Sequence, residues 1–510
     1  MTNPVTEPKV GPRPIHYQLV RRGSHRFALL ALVALVLAVI LGTASPGAAR
    51  DPLLEVLIRK GVLTPQEAKQ VEQEAQELEK QQAQEVEQQV EQKVEDKVKQ
   101  AEKRVALKAA EATKGMVPKA LKDLRIGFLG YVDYSVGQQS QPEWNASGGR
   151  WKNTSYNQFD LTRAYITIKK KITPWLSVRA TLDRHRPNRQ DYEVRFKYYY
   201  AELRPPNLGF LTDMKSEIGM GHMPWLDFEE HINPYRCQGT MAIERAGIFN
   251  SADLGVSLRG YFGGRLPESK VIIGDSHYDG LYGSWHFGVY NGASYHNREN
   301  NDNKVVEYRV TLRPLPYYRW LAGLQLSYFG LYGKGNDSIS TSGQLAAAAP
   351  LATDPNYFAD WIVHLVMLSY QNPWVTFTGQ YYAAKGGQEG RRVTPTGAGL
   401  WGQGFSLFGN VRFPWWKRRL NLFARFDYYD ADKDNDFYPS AMYHKWITGV
   451  AYEVYKKNLL LLVFETTKFG RNIDRWIGWN GTRGALLSPA GFNTALGDDK
   501  RFQMVYQIYF

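Results

Sequence analysis

The side chains best suited to act on another molecule are basic. Arg179, Arg195, Lys197, Arg259, Arg309, Arg313, Arg412 and Arg425 each stand in a stretch where apolar and polar residues alternate, and each takes a position on the polar face. Fixed cations on one face of a set of strands do the chemistry of a pore, where rings of charge replace ion hydration and select the sign of what enters. A second set is denser: Trp225, Asp227, Glu229, Glu230, His231, Arg236, Glu244 and Arg245 fall within residues 223–252. Acids gathered there would oppose the basic faces and set up a transverse field at a constriction. A plainer reading has each Arg balanced by an acid such as Asp183, Glu307 or Asp427, merely holding a wall together, and the acidic segment as a solvated surface loop.

Covalent and metal chemistry find no footing. Of the eight His beyond residue 49, none lies in a nucleophile or metal motif, and Glu230-His231 lacks the helical spacing of a zinc hydrolase. The single Cys, Cys237, can form no intramolecular disulfide and no zinc cluster. The chain is read as non-enzymatic, without metal or cofactor.

Alternating runs must position these charges. Leu176, Val178, Ala180 and Leu182 oppose Ser177, Arg179, Thr181 and Asp183, and Leu254, Val256 and Leu258 oppose Gly255, Ser257 and Arg259. From residue 125 onward such runs number sixteen. Short turns (169–174, 315–318, 372–373, 414–417) gather at one end, and long loops (137–156, 223–252, 331–357, 469–500) at the other. That segregation predicts an all-β transmembrane barrel of sixteen antiparallel strands. Residues 263–280 are too many for a short turn, and an added hairpin there would make eighteen. The final stretch places Phe502, Met504, Tyr506, Ile508 and Phe510 on one face and Gln503 and Gln507 on the other. An outward apolar row closed by an aromatic residue is expected to serve as an assembly signal, read by the barrel-insertion machinery.

Ahead of the barrel, Arg21, Arg22 and Arg26 precede an apolar run from Phe27 to Leu41, which small residues follow to Ala49. This is the pattern of a signal peptide over residues 1–49, too short for a membrane span. Residues 50–63 predict a short helix ended by Gly61. Thr64-Pro65-Gln66-Glu67 opens a second helix with a capping box, and 64–115 carries apolar residues about every 3.8 positions, the spacing of a coiled-coil stalk. Residues 116–124 read as a linker and 125–510 as the barrel. Of the formal charge of +13, +11 falls on residues 116–510. An exported barrel meets no nucleic acid, so this balance implies a lumen that draws small anions.

Part of the sequence is similar to the phosphate-selective porin family, the O and P porins. The matching residues are Ile218-Gly219-Met220-Gly221-His222-Met223-Pro224, Glu229, Glu244-Arg245, Asp253-Leu254-Gly255-Val256 with Gly260, the run Phe159 to Ile168, and Leu422 to Tyr429. The resemblance implies a sixteen-stranded homotrimeric channel of the bacterial outer membrane, its third loop, here 223–252, folded inward. A periplasmic coiled coil ahead of the barrel also occurs in that family. Two departures bear on phosphate: His222 stands where members often carry Lys, and the family's dense cluster of Arg and Lys is not recognisable. The expected function is passive diffusion of small hydrophilic solutes with anion preference. A second reading makes the barrel an anchor and the stalk a tether to the cell wall, although 50–63 is too short for a wall-binding domain.

Overall fold

The computed structural model describes residues 121–510 except 146–147, 186–190, 339–353, 355, 391, 471–472 and 474–497, together with scattered residues between 56 and 104. The chain divides into two units, Met1–Val117 and Pro118–Phe510. In the first, a helical turn closes at Gly61, whose φ of 70° suits glycine. The capping box beyond it is formed: the Thr64 backbone N–H and hydroxyl donate to the Glu67 carboxylate at 2.8 and 2.7 Å, and the Glu67 N–H donates back to Thr64 Oγ1 at 3.3 Å. The signal peptide and nearly all of the expected coiled coil lie outside the described residues.

The second unit is a closed barrel of sixteen antiparallel strands. They are β1 (Leu124–Asn145), β2 (Gly148–Lys171), β3 (Leu176–His185), β4 (Glu193–Leu203), β5 (Leu211–His222), β6 (Ala252–Phe262), β7 (Gly283–Tyr290) and β8 (Val305–Leu312). The second half comprises β9 (Leu324–Lys334), β10 (Asp360–Gln371), β11 (Val375–Lys385), β12 (Trp401–Arg412), β13 (Leu420–Asp430), β14 (Met442–Tyr455), β15 (Asn458–Phe469) and β16 (Asp499–Tyr509). Each strand pairs with its neighbours in sequence, and β16 closes on β1 from Leu129↔Tyr509 to Gln138↔Lys500. Closure of β16 on β1 means that the ring has no terminal edge strand.

Alternation in sequence becomes alternation in space. On β16, Arg501, Gln503, Val505 and Gln507 face inward and are buried, while Phe502, Met504, Tyr506 and Phe510 are exposed. The same outward exposure recurs at Val366 and Leu368, Leu407, Leu422, Val450, and Leu460 with Leu462. A monomer in water does not carry an apolar surface that runs right round it, so this surface suits lipid. Exposed aromatics mark its lower margin: Trp175, Phe210, Tyr317, Trp320, Trp374, Trp415 and Tyr455 all lie at the short connections. Rings that are apolar with a polar edge collect at a membrane–water interface for this reason.

Three features differ from the sequence expectation. Within residues 137–156, the described stretches 137–145 and 148–156 are strand rather than loop. β1 and β2 run on as one hairpin to Asn145↔Gly148, although only Leu129–Gln138 of β1 also pairs with β16. The connection between β8 and β9 takes residues 313–323 rather than 315–318. Residues 263–280 add no strands, so the count stays at sixteen. They hold a single bridge, Arg265↔Gly280, and one short helix, α3 (Ser269–Ile272).

Candidate functional site

The lumen is shaped by two connections that enter it from opposite ends. From the long-loop end comes residues 223–251, called L3, with helices α1 (Leu226–Ile232) and α2 (Ala242–Arg245). L3 enters because one of its faces is apolar. Met223, Trp225, Leu226, Phe228, Ile232, Met241, Ile243, Ile248 and Phe249 are buried against Phe329, Leu331, Trp361, Val363, Leu365, Tyr382, Tyr429 and Tyr443 of β9–β14. Further along, Tyr235 stacks on Phe423 with ring centroids 4.2 Å apart, and Cys237 joins the cluster formed with Tyr131, Ile447 and Val505. Burial of each large side chain is worth roughly 1.5–3 kcal/mol, so L3 is seated rather than draped.

From the short-turn end comes residues 263–282, called T3. Gly263 and Gly264 turn the chain inward at φ of 71° and 91°. Arg265 then pairs with Asp279 at 3.0 Å and Ser269 Oγ donates to the same carboxylate at 2.9 Å. At its tip Tyr278 meets L3: the hydroxyl donates to Asp227, the ring packs edge-on against Phe228 at 5.1 Å, and His277 lies 4.5 Å from His231. The two connections thus touch inside the barrel.

Several expected pore cations turn out to carry these connections. Arg309 is buried and donates to Pro224 O at 3.0 Å and to Ser284 Oγ at 3.0 Å, with its guanidinium 4.2 Å above the Phe228 ring. Arg313 is buried and holds the T3 carbonyls of Gly280 and Tyr278. Arg425 grips Asp427 through two bonds, at 2.7 and 2.6 Å, and donates to Thr240 O of L3 at 2.9 Å. All three point inward, but L3 or T3 covers them. Arg412 sits near the short-turn end and donates to Thr376 Oγ1 at 3.1 Å.

The remaining cations face L3 from β2–β6. Arg195 lies 3.7 Å from Asp183 and over the Tyr295 ring, and Lys197 donates to Tyr165 Oη at 3.3 Å. Both face inward with Tyr198 and Tyr200, because the β3–β4 register shifts by one residue between Thr181/Tyr198 and Leu182/Phe196 and leaves Lys197 as a bulge. Arg259 donates to Glu217 at 2.7 Å and lies 3.4 Å from Asp227 of L3. Arg179 donates to Thr181 Oγ1 at 3.0 Å and lies 4.5 Å over Tyr198, with no carboxylate within 4 Å among the described residues. Arg163, Lys169 and Lys215 belong with this wall and escaped the sequence reading. Lys169 pairs across the sheet with Arg179, and Lys215 with Arg259. The signal was present, since Arg163, Tyr165, Thr167 and Lys169 alternate in one phase.

On L3 the charges divide between two faces. Asp227, Glu230, His231 and Arg236 retain some exposure, and Arg236 pairs with Glu230 at 2.9 Å and Glu244 at 3.1 Å. Burial works against ionising Asp227, but His222, His231, Arg259 and the Tyr278 hydrogen bond outweigh it and hold this carboxyl well below the usual range. Glu229 and Arg245 point the other way, into the seat. Trp225 Nε1 and Gln380 Nε2 donate to Glu229 at 2.8 and 3.0 Å, and Arg245 lies 3.8 Å from Asp427. The arrangement is an acidic loop lip set against a basic wall. Among the described residues there is no His/Cys/Asp/Glu group that could hold a metal ion.

No family model and no curated protein matches the chain. Solved structures that resemble it include the anion-selective porin from Comamonas acidovorans, at 12% identity over 76% of this chain and 100% of that one, with a TM-score of 0.46. The outer membrane channel DcaP of Acinetobacter baumannii is 10% identical over 77% of this chain and 99% of that one, also at 0.46. OmpF of Salmonella typhi in complex with daunomycin is 12% identical over 76% and 97%, at 0.43. The sixteen-strand closure rests on this chain's own strand pairing.

Proposed function

We propose that this protein is a porin of the bacterial outer membrane, a passive diffusion channel for small hydrophilic solutes with a preference for anions. The carrying observation is the mismatch across the constriction: Lys169, Arg179 and Lys215 face the lumen from β2, β3 and β5 with no carboxylate within 4 Å among the described residues, whereas the L3 acids are paired with Arg259 or Arg236. Uncompensated cations in a confined, weakly screened passage concentrate anions. Phosphate is one small anion such a wall would admit. The outward row Phe502, Met504, Tyr506, Ile508 and Phe510 is the surface that the barrel assembly machinery would read, and a homotrimer and a periplasmic stalk complete the proposal.

Reversal potential in planar bilayers under a potassium chloride gradient tests it. The expected sign is that of chloride preference, by a factor of a few. A clear cation preference would overturn the selectivity, and the absence of conductance would overturn the channel itself.

A further inference from the structure

His222 ends β5 at the point where the basic wall, L3 and the lumen meet. Its ring stacks on Tyr198 at 4.2 Å and lies edge-on to Tyr200 at 5.6 Å, both from β4. Its backbone N–H donates to Glu217 Oε2 at 2.9 Å, and its carbonyl accepts from Tyr290 Oη of β7 at 2.6 Å. The ring position is therefore fixed from several sides. What varies is which ring nitrogens carry hydrogen.

On one side, Nδ1 lies 2.8 Å from Glu217 Oε2 and 3.1 Å from Oε1. On the other, Nε2 lies 3.2 Å from Arg179 Nη1. A guanidinium has only donors to offer, so the geometry at Nε2 needs a lone pair there, and the hydrogen of a neutral ring then sits on Nδ1, directed at the carboxylate. His222 in this form is an acceptor that holds the Arg179 guanidinium in place. The other groups facing this corner are Glu217, which also binds Arg259 at 2.7 Å, Asp227 of L3, whose Oδ1 lies 3.8 Å from Nε2, and His286 of β7.

We propose that His222 sets the ion selectivity of the constriction, through which of two neighbours its Nε2 serves. In the neutral ring Nε2 accepts from Arg179. When a proton is added at Nε2, that atom becomes a donor facing another donor, and the ring becomes a cation beside a cation. The guanidinium is displaced toward the lumen, and Nε2–H is left facing the Asp227 carboxylate, whose Oδ1 lies 3.8 Å away. Two changes follow with one sign: Arg179 enters the passage, and the L3 acid opposite it is neutralised by an added charge. The constriction becomes more positive once the ring takes up a proton. The gating group is thus an acceptor for Arg179 rather than a direct ligand of the permeant ion.

This inference rests on the channel reading above, and the test separates the two. The chloride-to-potassium permeability ratio of the full-length protein is measured from reversal potentials between pH 8 and pH 5. Wild type is expected to raise its ratio severalfold across that range. His222→Gln, whose amide can both donate to Glu217 and accept from Arg179 but cannot take a proton, should stay at the pH 8 value throughout. His222→Lys, a fixed cation, should stay near the pH 5 value throughout. A conducting wild type with a flat ratio overturns the role of His222 and leaves the channel standing. So does a His222→Gln protein that keeps the wild-type pH response. Wild type with no conductance at any pH overturns both, and should His222→Gln fail to fold, His222→Lys decides in its place: a wild-type pH response that survives in that variant overturns the role of His222.

Discussion

Between Trp225 and Gln380 the Glu229 carboxyl is held in the seat of L3 rather than at its lip, and burial raises it to about 7 against the opposing pull of Arg425 and its two hydrogen bonds. In an undocked loop the same group would titrate near 4.5. Docking therefore takes up a proton between these values. The contribution to the seat is complete in acid and is lost as pH rises through about 7, by roughly 3 kcal/mol in all. Gln380 Oε1, buried without a hydrogen-bond partner among the described residues, accepts the proton of the neutral acid once its amide turns over. Glu229→Gln should keep that neutral pattern at every pH. Cys237, on the buried face of the same loop, reports the outcome through its reaction with a small thiol reagent. The wild-type rate relative to Glu229→Gln should be roughly four at pH 5 and rise a further tenfold or more by pH 8.5. A ratio that stays at one would remove Glu229 from any control of L3.

Among the elements, T3 is the least usual, because short-turn-end connections of a barrel ordinarily stay outside it. Its entry is driven by small, specific seats: Leu266 and Ile273 pack on Ala322, Arg313 binds its carbonyls, and Tyr278 reaches Asp227 and Phe228. None of these holds the barrel wall, since β6 and β7 pair from Gly255↔Tyr290 to Tyr261↔Ser284 without it. Replacing residues 266–279 by a tight glycine-rich turn should raise single-channel conductance by a factor on the order of two. The temperature at which the barrel unfolds should not change. Unchanged conductance would mean that T3 closes no part of the passage. Such elements were unevenly legible in the sequence. Strict alternation, as in Leu176 to Asp183, gave strand phase, and the inward direction of Arg309, Arg313 and Arg425 followed from it. Their burial did not, because the group that covers Arg309, Pro224 O, comes from 85 residues away in the chain. Tyr198 and Tyr200 were missed because a one-residue bulge at Lys197 reverses phase, and a run of three tyrosines carries no mark of that reversal. The seat of L3 was written in Trp225, Leu226, Phe228 and Ile232, but the acids between them drew attention to the opposite face.

At the scale of the whole molecule, loop docking and barrel closure are one event, because L3 is fastened to the strands that close the ring. Glu465 on β15 accepts from Lys445 of β14 at 3.0 Å and pairs with Arg501 of β16 at 2.9 Å, while Gln238 of L3 donates to it at 2.6 Å. Arg501 donates in turn to the Gln238 carbonyl at 3.3 Å, and at the seam Gln503 reaches Asp133 of β1 at 2.6 Å. A buried carboxylate shared by two cations is costly to break and cheap to replace: removal of one partner strands the others, whereas an apolar set of similar volume escapes the desolvation penalty altogether. Glu465→Gln, which leaves Lys445 and Arg501 without their anion, should cost roughly 3–5 kcal/mol. The loss should appear in two places at once, as a lower temperature for the folded-to-unfolded shift on gels and as faster labelling of Cys237. The triple change Glu465→Leu, Lys445→Met, Arg501→Met should recover the unfolding temperature, since closure needs only a filled wall. Labelling of Cys237 should recover less, because Gln238 would still lack its acceptor. If Glu465→Gln lowers the unfolding temperature but leaves Cys237 protected, the loop is held by its apolar seat alone and the coupling of docking to closure is wrong. If the triple change fails to restore the barrel, the charges at this seam are doing more than neutralising one another.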